Sequence, residues 1–251
     1  MAGMRNIFIA HHHLTSMERV KTGIGGLDKM LQGGLIPHKN YLISGEPGTG
    51  KTILGVQFLL EGIQRGEAGL YVSLNERVEN LKDNLKSFPW DLSPIDFLDS
   101  TPQTDRIASF SDPEFLHLPI VMNELALQIQ RKITGETKRM VFDTISTLEA
   151  LSTDIRETKF WILKILYFFL DNGLTSLLLC ESKSGEPSME SFITDGNLEL
   201  GIRESGNSIK RTIRIKKFRG SPFDERTRPM IITNKGITVF PDESVFGTGT
   251  Q

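Results

Sequence analysis

The sequence predicts an α/β fold in which helices flank a mostly parallel central sheet, and three observations carry that expectation. Short apolar runs alternate with stretches of helical periodicity as far as about residue 180. A glycine-rich octapeptide sits between the first apolar run and the helix that follows it. After about residue 196 the rhythm changes to strand-like runs joined by short polar connections, which predicts an antiparallel C-terminal extension of the sheet.

Taken in order, the parallel strands are expected at Tyr41–Ser44, Leu70–Leu74, Ile95–Leu98, Met140–Phe142 and Ser176–Cys180, each a short run suited to a buried strand. Between them, helical periodicity marks Ile53–Gln64, Val78–Ser87, Pro113–Ile133 and Thr158–Leu170. Asp112 before Pro113 is a good helix start, because aspartate accepts from free N–H groups and proline lacks the donor that would go unpaired. Gly66 and Gly173 suit helix ends, where a left-handed residue is wanted. The later runs are Leu198–Arg203, Ile209–Phe218, Met230–Thr233 and Gly236–Phe240. Asp99 to Asp112 lacks periodicity and reads as a loop.

The octapeptide Gly45-Glu46-Pro47-Gly48-Thr49-Gly50-Lys51-Thr52 fits G-x-x-x-x-G-K-[ST], the pattern of a phosphate-binding loop. Its flanks are those the chemistry requires: Asn40 to Ser44 as a strand and Thr52 to Leu60 as a helix. Glycines let the backbone curl so that N–H groups converge, and the start of a helix adds about half a positive charge where phosphates lie. Lys51 is placed to reach the β and γ phosphates, and Thr52 to offer its hydroxyl to Mg²⁺. The implied ligand is a nucleoside triphosphate.

Composition bounds the remaining possibilities. The 251 residues are 38% hydrophobic and 24% charged, which suits one large core. We expect one domain over residues 17–242, an N-terminal extension over 1–16 that holds His11-His12-His13, and a loose tail over 243–251. A formal net charge of −2 argues against a protein that coats nucleic acid through bulk charge. The single cysteine, Cys180, permits no internal disulfide and fits a reducing cytoplasm. Phe160 to Leu170, the most hydrophobic stretch, is too short for a bilayer that needs about 20 apolar residues. It is expected to be a buried helix.

Ligands of open α/β sheets bind at the carboxyl ends of the strands, so polar residues that end apolar runs are candidates. Asp143 closes Met140-Val141-Phe142 and is where a carboxylate would hold Mg²⁺. Glu76, after Leu74 and Asn75, could polarise the attacking water. Glu181, after Cys180, reads equally as a turn residue or an active-site contact. In Ile213-Arg214-Ile215-Lys216-Lys217-Phe218-Arg219, strict alternation puts Ile213, Ile215, Lys217 and Arg219 on one face that ends in two cations. Those cations suit either a solvated strand end or a finger directed at a γ-phosphate, of the same or a neighbouring subunit.

Arg19-Val20-Lys21-Thr22-Gly23-Ile24 with Gly26-Leu27-Asp28, Gly33-Gly34, the phosphate loop, Gly69 to Leu74, Ser87 to Leu92, Asp143, Lys217-Phe218-Arg219-Gly220, Ile232 to Ile237 and Val239-Phe240-Pro241 together resemble a KaiC-type ATPase of the RecA superfamily. The resemblance is to the single-domain form common in archaea and spans about residues 19 to 242. It implies a RecA-like P-loop NTPase fold and a hexameric homo-oligomer with ATP and Mg²⁺ between subunits. Lys51 and Thr52 would stand on one side of the nucleotide, and Lys217 and Arg219 would reach across from the other. Lys51, Glu76, Lys217 and Arg219 are then the catalytic candidates, acting for an unidentified protein partner.

Two departures limit what carries over. Relatives in this family commonly have two adjacent glutamates after the strand ending at Leu74, whereas the first position here is Asn75. An amide is no base near neutral pH, so slow hydrolysis is expected. The circadian clock member phosphorylates an adjacent Ser-Thr pair, and the matching place here reads Ser191-Phe192, which argues against autokinase activity. The competing function is a nucleotide-gated assembly or signalling module with little or no hydrolysis. A DNA-handling ATPase ranks lowest, because Thr144–Thr158 and Ser182–Ile193 hold few cations for a channel that tracks a nucleic-acid backbone.

Overall fold

A computed structural model describes residues 18–101, 118–149, 154–181, 189–205 and 208–245. The expected helix start at Asp112-Pro113, most of the loop from Asp99 to Asp112, the N-terminal extension and most of the tail lie outside the described residues.

Six parallel strands form the centre: β1 (Asn40–Gly45), β2 (Ala68–Ser73), β3 (Asp96–Asp99), β4 (Thr137–Asp143), β5 (Thr175–Glu181) and β6 (Gly196–Ser205). β7 (Ser208–Phe218), β8 (Arg228–Thr233) and β9 (Gly236–Val239) continue the sheet antiparallel. Among the described residues the spatial order is β3-β2-β4-β5-β1-β6-β7-β8-β9. All five expected parallel strands are present. β6 departs from the expectation: it pairs parallel with β1, so the antiparallel part begins one strand later.

The helices are α1 (Gly25–Met30), α2 (Lys51–Gln64), α3 (Val78–Asn84), α4 (Leu118–Lys132), α5 (Ser146–Glu149), α6 (Ile155–Asp171) and α7 (Met189–Ile193), with a 3-10 turn at Leu85–Ser87. α1 and α2 cover one face of the sheet, and α4 and α6 the other, which gives two apolar cores. Alternation along the strands sorts side chains between them: Val141, Leu177 and Leu179 face α2, whereas Met140, Phe142 and Leu178 face α4 and α6. No helix among the described residues is long and apolar enough to cross a membrane.

Helix α2 lies unusually close to β4. A Cβ on Gly62 would stand 2.4 Å from Arg139 Cδ, and one on Gly55 would stand 2.9 Å from Val141 Cγ1. Arg139 is only 1% exposed, and its cost of burial is offset by Glu67, by the carbonyls of Lys21 (2.6 Å) and Phe58 (2.8 Å), and by the ring of Phe58. Gly66 (φ 78°) and Gly173 (φ 69°) take the left-handed conformation expected of them just past α2 and α6.

One expected alternation fails. On β7, Leu198 pairs with Ile215 but Asn197 pairs with Lys217, so Lys216 is an extra residue. This β-bulge reverses the facing of everything after it. Phe218, not Lys217, joins Ile213 and Ile215 in the core, where it stacks on Tyr41 at 5.6 Å between ring centroids. Lys217 and Arg219 are thereby turned off the core face. Phe218→Ala is expected to cost about 3–5 kcal/mol of stability, read from urea unfolding; a loss under about 1 kcal/mol would mean that the aromatic stack does not anchor this strand end.

Candidate functional site

The site is built where β1 runs into α2. Gly45 ends the strand, and Gly50 adopts φ 103° so that regular helix starts at Lys51 and Leu54 N–H can donate to the Gly50 carbonyl (3.0 Å). Between them Glu46, Pro47 and Gly48 are exposed, while Thr49 is buried and its hydroxyl donates to the Glu46 carbonyl (2.8 Å). The Lys51 ammonium is folded over the loop, donating to the carbonyls of Gly45 (2.8 Å) and Glu46 (3.1 Å). Burial lowers its pKa from 10.5, and the carboxylates of Glu181 and Asp143 oppose the shift. A desolvated cation at the mouth of a curled loop strongly favours an anionic ligand.

Asp143, at the end of β4, meets the first turn of α2. Its Oδ2 accepts from Thr52 Oγ1 (3.3 Å) and from the Tyr71 hydroxyl, which comes from β2. Two oxygen ligands on adjoining elements suit Mg²⁺, which takes few protein ligands and keeps much of its water. The pairing of Thr52 with Asp143 therefore fits the ion. When bound, Mg²⁺ would supply charge neutralisation and orientation to the phosphates.

The C-terminal hairpin supports the loop from behind. Ile237 N–H donates to Gln57 Oε1 of α2 (2.6 Å), and Ile232 packs so closely that a Cβ on Gly50 would stand 2.7 Å from its Cδ1. Arg211 of β7 donates to the Gly48 carbonyl (3.4 Å), which puts a second cation beside the loop. Sequence reading missed Arg211, although it lies in an expected strand, because nothing in the pattern shows that the start of β7 runs beside Gly48.

The remaining candidates separate into three places. Glu76 accepts from Asn84 of α3 through Oε1 (2.7 Å), and its carbonyl accepts from the Ser73 hydroxyl; Asn75 beside it is exposed. Glu181 stands beside Gly45 in the β1–β5 register, and its N–H donates to Ser146 Oγ (2.9 Å). Lys217 and Arg219 are not with the others. They lie where Phe218 pairs with Gly196, which in turn pairs with Tyr41, at the amino edge of the sheet opposite the loop. There the Lys217 ammonium donates to the carbonyls of Ser191 (2.8 Å), Phe192 (3.2 Å) and Thr194 (2.5 Å). Burial, then Arg219, lowers its pKa from 10.5. Arg219 is exposed.

A glycine loop between strand and helix, with a carboxylate on a strand two places away, defines a P-loop NTPase with a RecA-like sheet. The sequence model described as "ATPase: KaiC" matches residues 20–244, and the chain belongs to that family. A UPF0273 protein of Thermotoga maritima is 35% identical over 240 residues, covering 90% of this chain and 98% of its own. Another, from Pyrococcus horikoshii, is 33% identical over 242 residues, covering 90% and 95%. The crystal structure of a KaiC-like protein of Pyrococcus horikoshii matches with a TM-score of 0.73 at 27% identity, covering 90% of this chain and 100% of that one.

Burial raises the Asp143 carboxyl above its ordinary 3.8, so the folded chain holds that proton more tightly than the unfolded chain does. Its negative charge therefore opposes folding, fully so above the folded value and not at all below the unfolded value. Asp143→Asn is expected to raise the thermal midpoint of the nucleotide-free protein at pH 7, with the gain shrinking toward pH 4, while losing Mg²⁺-dependent protection by ATP. A lower midpoint at pH 7 would contradict this.

Proposed function

We propose that this protein is an Mg²⁺-dependent ATPase of low turnover whose site is completed by a second copy of the chain. The observation that carries the second half is positional. The phosphate loop and the Lys217–Arg219 pair stand at opposite edges of one sheet, so the pair cannot serve the loop of its own chain. A head-to-tail arrangement brings the amino edge of one subunit to the carboxyl edge of the next, and a rotation that closes makes a ring. The family resemblance favours six subunits.

In this reading Lys51 and the loop hold the triphosphate, Thr52 and Asp143 hold Mg²⁺, and the partner's Arg219 stabilises charge on the transferred phosphoryl group. Such fingers contribute about 10³–10⁵ in rate. Lys217, engaged by three carbonyls within its own chain, supports the strand end from which Arg219 projects. Low turnover follows from Asn75, which offers no base, and from Glu76, whose carboxylate is engaged by Asn84.

The second reading, a nucleotide-gated assembly module with little hydrolysis, draws on the same two residues. Molecular mass in solution with and without Mg·ATP, measured together with released phosphate, separates them. Assembly on ATP with turnover below about 1 s⁻¹ supports the ATPase, whereas assembly without phosphate release supports the module. Lys51→Ala is expected to abolish ATP binding. Arg219→Ala is expected to keep ATP affinity and reduce turnover by about 10³, and loss of affinity with intact assembly would contradict the division of labour.

A further inference from the structure

If Asn75 cannot act as a base and Glu76 is engaged elsewhere, hydrolysis needs another carboxylate at the loop. Glu181 meets the geometric requirements. β5 lies between β1 and β4, so its carboxyl end stands between the strand that feeds the phosphate loop and the strand that ends in Asp143. Glu181 pairs in register with Gly45, the first residue of the loop. Alternation along β5 places it on the side of Leu177 and Leu179, the side that α2 covers and from which Lys51 and Thr52 rise. Asp143 follows Val141 onto that same side.

Its surroundings suit a proton acceptor rather than a structural anchor. The residue is exposed, and among the described residues no side-chain hydrogen bond or ion pair engages its carboxylate. Its backbone is nonetheless fixed, because Glu181 N–H donates to Ser146 Oγ, and Ser146 opens the short helix after β4. Glu76 has the opposite character: its carboxylate is committed to α3 through Asn84. Of the charges that bear on Lys51, the Glu181 carboxylate acts more strongly than Asp143, which fits a position at the mouth of the loop.

We propose that Glu181 is the carboxylate that accepts the proton of the attacking water. The water oxygen forms a bond to the γ-phosphorus as the bond from that phosphorus to the β–γ bridging oxygen breaks, and ADP carries away the released electron pair. The water proton passes to a Glu181 oxygen and from there to solvent, leaving ADP and inorganic phosphate. General-base assistance of this kind contributes about 10²–10⁴ in rate. The proposal rests on the ATPase reading above and names the residue that makes the remaining turnover possible.

The test uses the full chain with Mg·ATP and reads two quantities: ATP affinity by calorimetry and phosphate release at saturation. Glu181→Gln keeps shape and removes basicity; it is expected to lower kcat at least about 100-fold while Kd for ATP changes by less than about 3-fold. Glu181→Asp, which restores a base one methylene short, is expected to recover part of kcat. A Glu181→Gln chain with kcat within about 3-fold of wild type would overturn the proposal and leave the ATPase reading intact. So would a loss confined to Kd, which would make Glu181 a binding group. If the wild-type chain bound ATP and released no phosphate, the ATPase reading itself would fall, and this proposal with it.

Discussion

The abrupt passage from β1 into α2 is the constraint on which the rest of this structure depends. Gly48 (φ 77°) and Gly50 (φ 103°) take left-handed conformations at no steric cost, and together they let a helix begin directly beside the strand it follows. The consequence is chemical: the end of a strand, the start of a helix and the ammonium of Lys51 converge on one small volume. Close packing keeps it there. Gly55 and Gly62 allow α2 to press on Val141 and Arg139, so the helix that carries Lys51 and Thr52 is held in register with the strand that ends in Asp143. Tyr71 then fixes the carboxylate from a third element.

The second organising feature is strand β7, which reaches both edges of the sheet. It runs antiparallel to β6 from the loop edge of the sheet to the opposite edge. Arg211 near its start donates to the phosphate loop of its own chain, and Lys217 and Arg219 at its finish stand about 20 Å or more away, given a rise near 3.4 Å per residue. A bulge at Lys216 decides which residues leave the core there. Phe218 turns inward as an anchor on Tyr41, and the cations turn out. A rigid sheet that carries a cradle at one edge and an exposed arginine at the other is suited to head-to-tail association.

Much of this was legible in the sequence because its signals are local. The phosphate loop announces itself by glycine spacing between two apolar segments, and Asp143 by ending a hydrophobic run. Those residues meet in the structure as expected, with Thr52 donating to Asp143. Other features were not legible, and most of them depend on pairing across the sheet. The bulge at Lys216 follows from the register between β6 and β7, so strict alternation misassigned Lys217 to the core face. Arg211 reaches Gly48 only because β6 lies between β1 and β7. The contrast between Glu76 and Glu181 required knowing that Asn84 engages one and that β5 sets the other beside Gly45. Short helices such as α1, α5 and α7 also escaped notice, since a single turn or two leaves no period to detect.

The central claim is that the curled loop from Gly45 to Thr52 captures the triphosphate tail and not merely a nucleoside. Calorimetric titration of the folded chain in Mg²⁺ with ATP and, separately, with adenosine tests it most directly. ATP is expected to give a saturable heat and adenosine none of comparable affinity. Equal binding of both, or no heat from ATP, would contradict it.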